Sequence, residues 1–300
     1  MRISPSLFSS GHVREVTAFS FYLFLISVAI QVGTHVDNLI IGAYMGTSAV
    51  AVYIVAMRLS EYHRQLCGQF TGFLFPMVVR FHASRDGDAL RSTLLEGTRL
   101  GLWLASGVAL GLVVFGRDLV HLWMGPGFEG AVMPLYILAG AGIVMVAQGP
   151  TGSILLGTGH HRLVAGASMA EIAMNVVITV ALIGTVGLPG AAIGTAVPFV
   201  LINVFLLIPI ACRSVGVPVR RFFRIAVAPT IAGLVPAAAA GLALRSLGAP
   251  TTLAILFTQA AIVGVIYLAG FWVIGLSRQD RLQYLASARG LISGAVAEPA

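Results

Sequence analysis

An all-α protein that crosses a membrane about eight times is the fold this sequence predicts, and three observations carry the prediction. Of its 300 residues, 58% are hydrophobic and only 10% are charged, where a soluble domain has about 25% charged residues; mean hydropathy is +0.94. Apolar runs recur along the chain, each of roughly 20 residues or more, which is the length a helix needs to cross the hydrocarbon core. The cations punctuate those runs: all 18 are arginine. No run shows the alternating hydrophobicity of a barrel strand. Across lipid only a helix satisfies its own backbone unless a sheet closes on itself, so the runs read as helices.

In chain order, residues 1–15 form a polar, linker-like opening with no small-residue cleavage site. The run near 16–43 is far longer than a signal core, so it stays in the membrane as the first helix. A second run, 48–79, contains Arg58, Glu61 and Arg64 and stops before Arg80, Arg85 and Arg91. Runs near 92–115 and 131–156 flank Arg117, and the next, 163–184, starts just past Arg162. The sixth, 188–211, enters from the tight turn GLPGAAIGT at 187–195, whose small residues permit close helix contact. Arg213, Arg220 and Arg221 follow it, and runs near 224–244 and 252–275 flank Arg245. The tail, 277–300, holds Arg278, Arg281 and Arg289 among apolar residues that suit a short helix on an anionic surface.

Thirteen arginines, from Arg2 and Arg14 to Arg289, fall in the termini and alternate loops, against Arg117 and Arg245 in the other loops. The positive-inside rule therefore places both termini in the cytoplasm. The expected organisation is a cytoplasmic linker-like segment 1–15, a six-helix lobe 16–211, two additional helices 212–276 and a cytoplasmic tail 277–300. Because the arginines follow topology, they do not form a nucleic-acid footprint. Cys67 and Cys212 lie far apart in apolar context and read as packing residues. His160 and His161 lack metal-site spacing. No nucleophile sits with a base, and the outer loops are short, with Asp118 and Glu129 their only acids; the expectation is neither an enzyme nor a cofactor binder. Pro134, Pro150, Pro198, Pro209, Pro229 and Pro236 lie in or near spans, where proline kinks a helix.

Charge inside lipid is costly, roughly 2.5–3.5 kcal/mol for Asp or Arg at a helix centre, so such residues usually face water or a partner. Asp37 lies near the outer end of the first helix beside a polar stripe of Ser27, Gln31, Thr34 and Asn38 at helical spacing. That stripe lines a passage or bonds a neighbouring helix. In the second run Arg58, Glu61, Gln65 and Gln69 form another stripe, with His63 and Arg64 beside it. Glu61 can pair with either arginine, but such pairs contribute only about 0.2–0.5 kcal/mol, so the group is expected to face a wet, electropositive lumen or to snorkel to the interface. Arg58 and Arg64 there would hold a pyrophosphate or sugar carboxylate. Ser168, Glu171, Asn175 and Thr179 recur on the fifth helix, with Glu171 about 13 Å past Arg162. Substrate or cavity candidates are thus Arg58, Glu61, Arg64, Gln65, Glu171 and Asn175, and the candidate for coupling or gating is Asp37.

The motif VDNLIIGAYMGTSAVAVYIVAMRL at 36–59 is followed by FLFPMVV around Pro76, HLWMGPGFEGAVMPLYIL at 121–138, PTGSILLGTGHHRL at 150–163 and EIAMNVVITVALIGTVGLPGAAIGTAVP at 171–198. In that order these resemble the polysaccharide-export branch of the multidrug/oligosaccharidyl-lipid/polysaccharide flippase superfamily, over about Val13 to Arg245. The resemblance implies a transporter of two six-helix lobes around a central cavity, often with two further helices, and this chain matches the second lobe plus those two. It implies passage of a polyprenyl-pyrophosphate-linked oligosaccharide across the bacterial cytoplasmic membrane, among membrane lipids. An acid placed like Asp37 resembles those that bind protons or cations in the extruder relatives. The first lobe is expected either from a longer form of the polypeptide or from a second subunit. A cation-coupled multidrug extruder and a non-transporting half-lobe are the alternatives.

Overall fold

The computed structural model describes residues 10–69, 72–276 and 281, and every regular element among them is helical. Helix α1, Ser10–Met45, begins earlier than the predicted run, so residues 10–15 of the expected linker are helical. Gly46 alone links it to α2, Thr47–Gly68, at φ +84°, a left-handed conformation that glycine adopts without steric cost. The expected second span, 48–79, is two helices rather than one: α2 ends at Gly68 and α3 covers Leu74–Ala83. Pro76 is the physical reason, since its ring clashes with the carbonyl four residues back, at Gly72, and removes the N–H that would bond to it.

Helix α4, Gly87–Met124, is capped by the Asp86 carboxylate, which accepts the Ala89 N–H at 3.0 Å. A 3₁₀ turn, Glu129–Ala131, leads into α5, Val132–Gly157, which precedes α6, His161–Val186. Gly187 at φ +73° turns the chain into α7, Leu188–Ile202. That helix runs through a π turn, Asn203–Leu207, into α8, Ile208–Ser214. Helix α9, Val219–Phe222, likewise passes through a π turn, Phe223–Val227, into α10, Ala228–Leu247. These two π turns are centred four residues before a proline, at Phe205 before Pro209 and at Ile225 before Pro229. Proline strips the carbonyl four residues back of its donor, and the ladder widens to i→i−5 bonds there: Ile208 N–H bonds Asn203 O, and Ala228 N–H bonds Phe223 O. Helix α11, Leu253–Gly270, ends in a third π turn, Phe271–Gly275.

Seven helical segments among the described residues are long and apolar enough to cross a membrane: α1, α4, α5, α6, the α7–α8 rod, the α9–α10 rod and α11. Helix α2 stands outside that set because it carries Arg58, Glu61 and Arg64. The expected basic tail, 277–300, lies outside the described residues except for Arg281, whose guanidinium donates to Val273 O at 2.7 Å and Leu276 O at 3.0 Å.

Helix α5 lies at the centre, packed against α2, α3, α4 and α7, while α1 and α7 flank α6. Absent side chains set the closest approaches. A Cβ at Gly97 of α4 would stand 3.1 Å from Pro150 of α5, and one at Gly190 of α7 would stand 2.9 Å from Leu182 of α6. The α10–α11 hairpin docks on α4, where Tyr267 fills the space beside Gly107 and its hydroxyl donates to Trp103 O at 2.8 Å. Arg245 completes that joint, donating to Val114 O at 2.9 Å and pairing with Asp118 at 3.2 Å.

A cavity between five helices

Helices α1, α2, α5, α6 and α7 line an open-sided cavity of about 490 Å³, most of whose wall is apolar. Its polar lining includes Asp37, Arg64, Gln148, Glu171, Asn175 and Asn203. By the 1.5 Å helical rise, Arg64 lies about 26 Å from the Gly46 end of α2 and Glu171 about 22 Å from the Gly187 end of α6. Asp37, eight residues before Met45, lies only about 12 Å from the Gly46 end of α1. Two sites at different depths therefore share one cavity.

The site nearer the Gly46 turn is a carboxylate held by hydroxyl groups. Asp37 is 3% exposed, and its oxygens accept from Tyr53 Oη at 3.1 Å, Thr195 Oγ1 at 2.5 Å and Thr179 Oγ1 at 3.4 Å. Asn175 Nδ2 in turn donates to Thr195 Oγ1 at 2.9 Å. The single-glycine turn at Gly46 brings Tyr53 back alongside Asp37, since each lies within about two helical turns of it. Thr179 and Thr195 come from α6 and α7, and Gly194 makes their meeting possible: a Cβ there would overlap Thr179 Oγ1 and stand 3.0 Å from Thr179 N. This network leaves a buried carboxylate solvated by neutral donors, a setting in which a proton or a small cation is the natural charge partner.

The site farther from that turn is more open. Arg64 donates to Met145 Sδ at 3.1 Å and makes no ion pair among the described residues. Glu171, on the facing wall, has neither a hydrogen bond nor an ion pair among them, and its carboxylate is not sealed from the cavity. Arg58, Glu61 and Gln65 are placed elsewhere. They lie one residue beyond the cavity-facing Met57, Ser60 and Arg64, about 100° further round α2. There Arg58 pairs with Glu61 at 2.7 Å, its side chain 54% exposed, and Gln65 Nε2 donates to the same carboxylate at 3.1 Å. Their acid–base pairing leaves Arg64 as the cavity's arginine. His63 points the other way, 2% exposed, with Nε2 2.9 Å from Ala105 O and its ring filling the space at Gly142.

On α1 the cavity face is Ile26, Ala29, Ile30, Gly33, Thr34 and Asp37, so of the predicted polar stripe only Thr34 lines it. Ser27 is exposed, with its hydroxyl bonded to Leu23 O at 3.0 Å, and Gln31 is also exposed. Tyr53, Gln148, Thr195 and Asn203 were not among the sequence candidates. Thr195 stood in the small-residue turn GLPGAAIGT, and the spacing of Gly190 and Gly194 was the one sign that a neighbouring helix would approach it closely.

Residues 1–133 match a family profile described as polysaccharide biosynthesis protein. The chain is similar to the probable low-salt glycan biosynthesis flippase Agl15 of Haloferax volcanii, 26% identical over 200 residues, which are 66% of this chain and 42% of that protein. It is similar to the uncharacterized membrane protein EpsK of Bacillus subtilis, 26% identical over 236 residues, 78% of this chain and 45% of that one. The teichuronic acid biosynthesis protein TuaB of the same bacterium is 26% identical over 148 residues, 48% of this chain and 30% of that protein. The matched stretches thus span less than half the length of these relatives. No solved structure matches the chain.

Proposed function

We propose, on the premise that this multi-pass membrane protein is a member of a polysaccharide-flippase family, that it moves a lipid-linked oligosaccharide across the cytoplasmic membrane. In this reading the cavity takes the polar head while the polyprenyl tail stays in lipid, and no bond is made or broken. The carrying observation is that Arg64 and Glu171, from two separate helices, line one cavity and neither makes an ion pair among the described residues, Glu61, the acid one turn from Arg64, being bonded to Arg58 instead. Charged groups are retained at membrane depth where they serve a passage or a ligand. A guanidinium suits the diphosphate, since its planar donors match phosphate oxygens. Glu171, Gln148 and Asn175 supply acceptors and amides for sugar hydroxyls. Asp37 is the coupling group, loaded and unloaded with a proton or cation as its hydroxyl donors separate. A second lobe, from the same polypeptide or from a second subunit, completes the passage.

A cation-coupled drug extruder is the second reading. Arg64 in the cavity disfavours it, because a cationic drug would meet like charge in a low-dielectric wall. The test is an Arg64→Ala substitution in the cell that makes the protein. Loss of surface polysaccharide, with lipid-linked precursor accumulating and protein level unchanged, is expected. Normal polysaccharide together with a loss of drug resistance would favour the extruder.

A further inference from the structure

The turn between α8 and α10 carries Arg213, Arg220, Arg221 and Arg224, and all four are exposed. The sequence holds no acid between Glu171 and Asp280, and Asp88, which Arg91 brings toward the turn, is paired with Arg91 at 2.8 Å. The ion pairs found among the described residues engage other arginines: Arg58 with Glu61, Arg91 with Asp88 and Arg245 with Asp118. Like charges crowded this way repel one another, so the cluster favours an anion.

The segment is also tied into the fold. Gly216, at φ +71°, closes a tight reversal in which Val217 N–H bonds Cys212 O at 2.8 Å. Arg91 Nε donates to Val215 O at 2.9 Å, and Val215, Val217 and Phe222 are buried at 7%, 5% and 1% exposure. With its apolar side so anchored, the turn holds the arginines outward, and little ordering cost remains for a ligand to meet. The residue beside them, Phe223, is 38% exposed.

We propose that Arg213, Arg220, Arg221 and Arg224 form a preorganised binding site for anionic phospholipid headgroups. The turn joins two membrane-length rods, α7–α8 and α9–α10, so it lies at headgroup level. Guanidinium groups pair with phosphate oxygens through paired hydrogen bonds, and an aromatic ring beside them sits well at the acyl boundary. None of the four lines the cavity, so the occupant is a resident membrane lipid rather than the transported one.

The full chain in neutral detergent, given mixed micelles of phosphatidylglycerol and phosphatidylcholine, tests this by native mass spectrometry of retained lipid. Wild type and R117Q, an exposed arginine elsewhere, should retain phosphatidylglycerol preferentially. The variant R213Q/R220Q/R221Q/R224Q should lose that preference by at least about tenfold, because each arginine adds attraction to an anionic surface. Its phosphatidylcholine retention should stay constant. R220Q/R221Q, changed at two side chains only, should fall between, which gives a second reading if the fourfold variant folds poorly. Equal preference in R220Q/R221Q and wild type would overturn the proposal. Displacement of the lipid by excess inorganic phosphate would also overturn it, in favour of a soluble-anion site.

Discussion

Replacing Gly194 by alanine should collapse the Asp37 network from behind. The new Cβ would overlap Thr179 Oγ1 and stand 3.0 Å from both Thr179 Cβ and Thr179 N. Backbone cannot rotate away as a flexible side-chain end can, so α7 must move off α6. Overpacking of this kind costs about 1–3 kcal/mol, and losing the Thr179 bond to the carboxylate, 3.4 Å long, adds about 1 kcal/mol. A total of about 2–4 kcal/mol corresponds to roughly 3–6 °C in the thermal midpoint of a chain this long, readable by tryptophan fluorescence of the full chain in detergent. Thr179→Ala removes the obstructing hydroxyl, so the double variant Gly194→Ala/Thr179→Ala should be less destabilised than the two single changes summed. A coupling of about 1 kcal/mol or more is expected for residues in contact. A Gly194→Ala midpoint within 1 °C of wild type, on the order of experimental error, would refute the steric reasoning, and so would strictly additive effects.

Asp37→Asn keeps size and should change stability by about 1 kcal/mol or less, yet it should lower polysaccharide transport about tenfold or more and remove its dependence on an ion gradient; transport in vesicles with and without the gradient decides this. Arg245→Ala strands both the Val114 carbonyl and Asp118 and should cost about 1–3 kcal/mol, with Arg245→Ala/Asp118→Ala recovering part of the loss in thermal unfolding. Arg58→Ala removes an exposed pair and should cost about 1 kcal/mol at most, with surface polysaccharide unchanged. Glu171→Gln should leave the unfolding midpoint within about 2 °C of wild type, because no bond among the described residues depends on its charge, while transport falls.

Helical register explains most of what the sequence disclosed about the site and what it withheld. Burial cost alone drew attention to Asp37, Arg64 and Glu171, and all three line the cavity. The same argument swept in Arg58, Glu61 and Gln65, because along one helix neither cost nor spacing says which of two adjacent stripes faces the partner helices. Tyr53 and Thr195 escaped notice because each is an ordinary residue of a membrane helix until a neighbour's carboxylate meets it. The fold shows the same division. Long apolar runs and arginine-bearing loops announced most of the spans, whereas the separation of α2 from α3 depended on Pro76 acting on Gly72, and two of the π turns on prolines whose effect lies four residues upstream.

Binding of a short-chain polyprenyl-diphosphate oligosaccharide to the full chain in detergent, compared between Arg64→Ala and Arg58→Ala, probes the cavity most directly. A hydrogen bond to a charged group is worth about 1.5–3 kcal/mol and each 1.4 kcal/mol is about tenfold in Kd. Arg64→Ala should therefore weaken binding at least about tenfold, while Arg58→Ala stays within about twofold. Equal affinity in the two variants would contradict the assignment of the headgroup to this cavity.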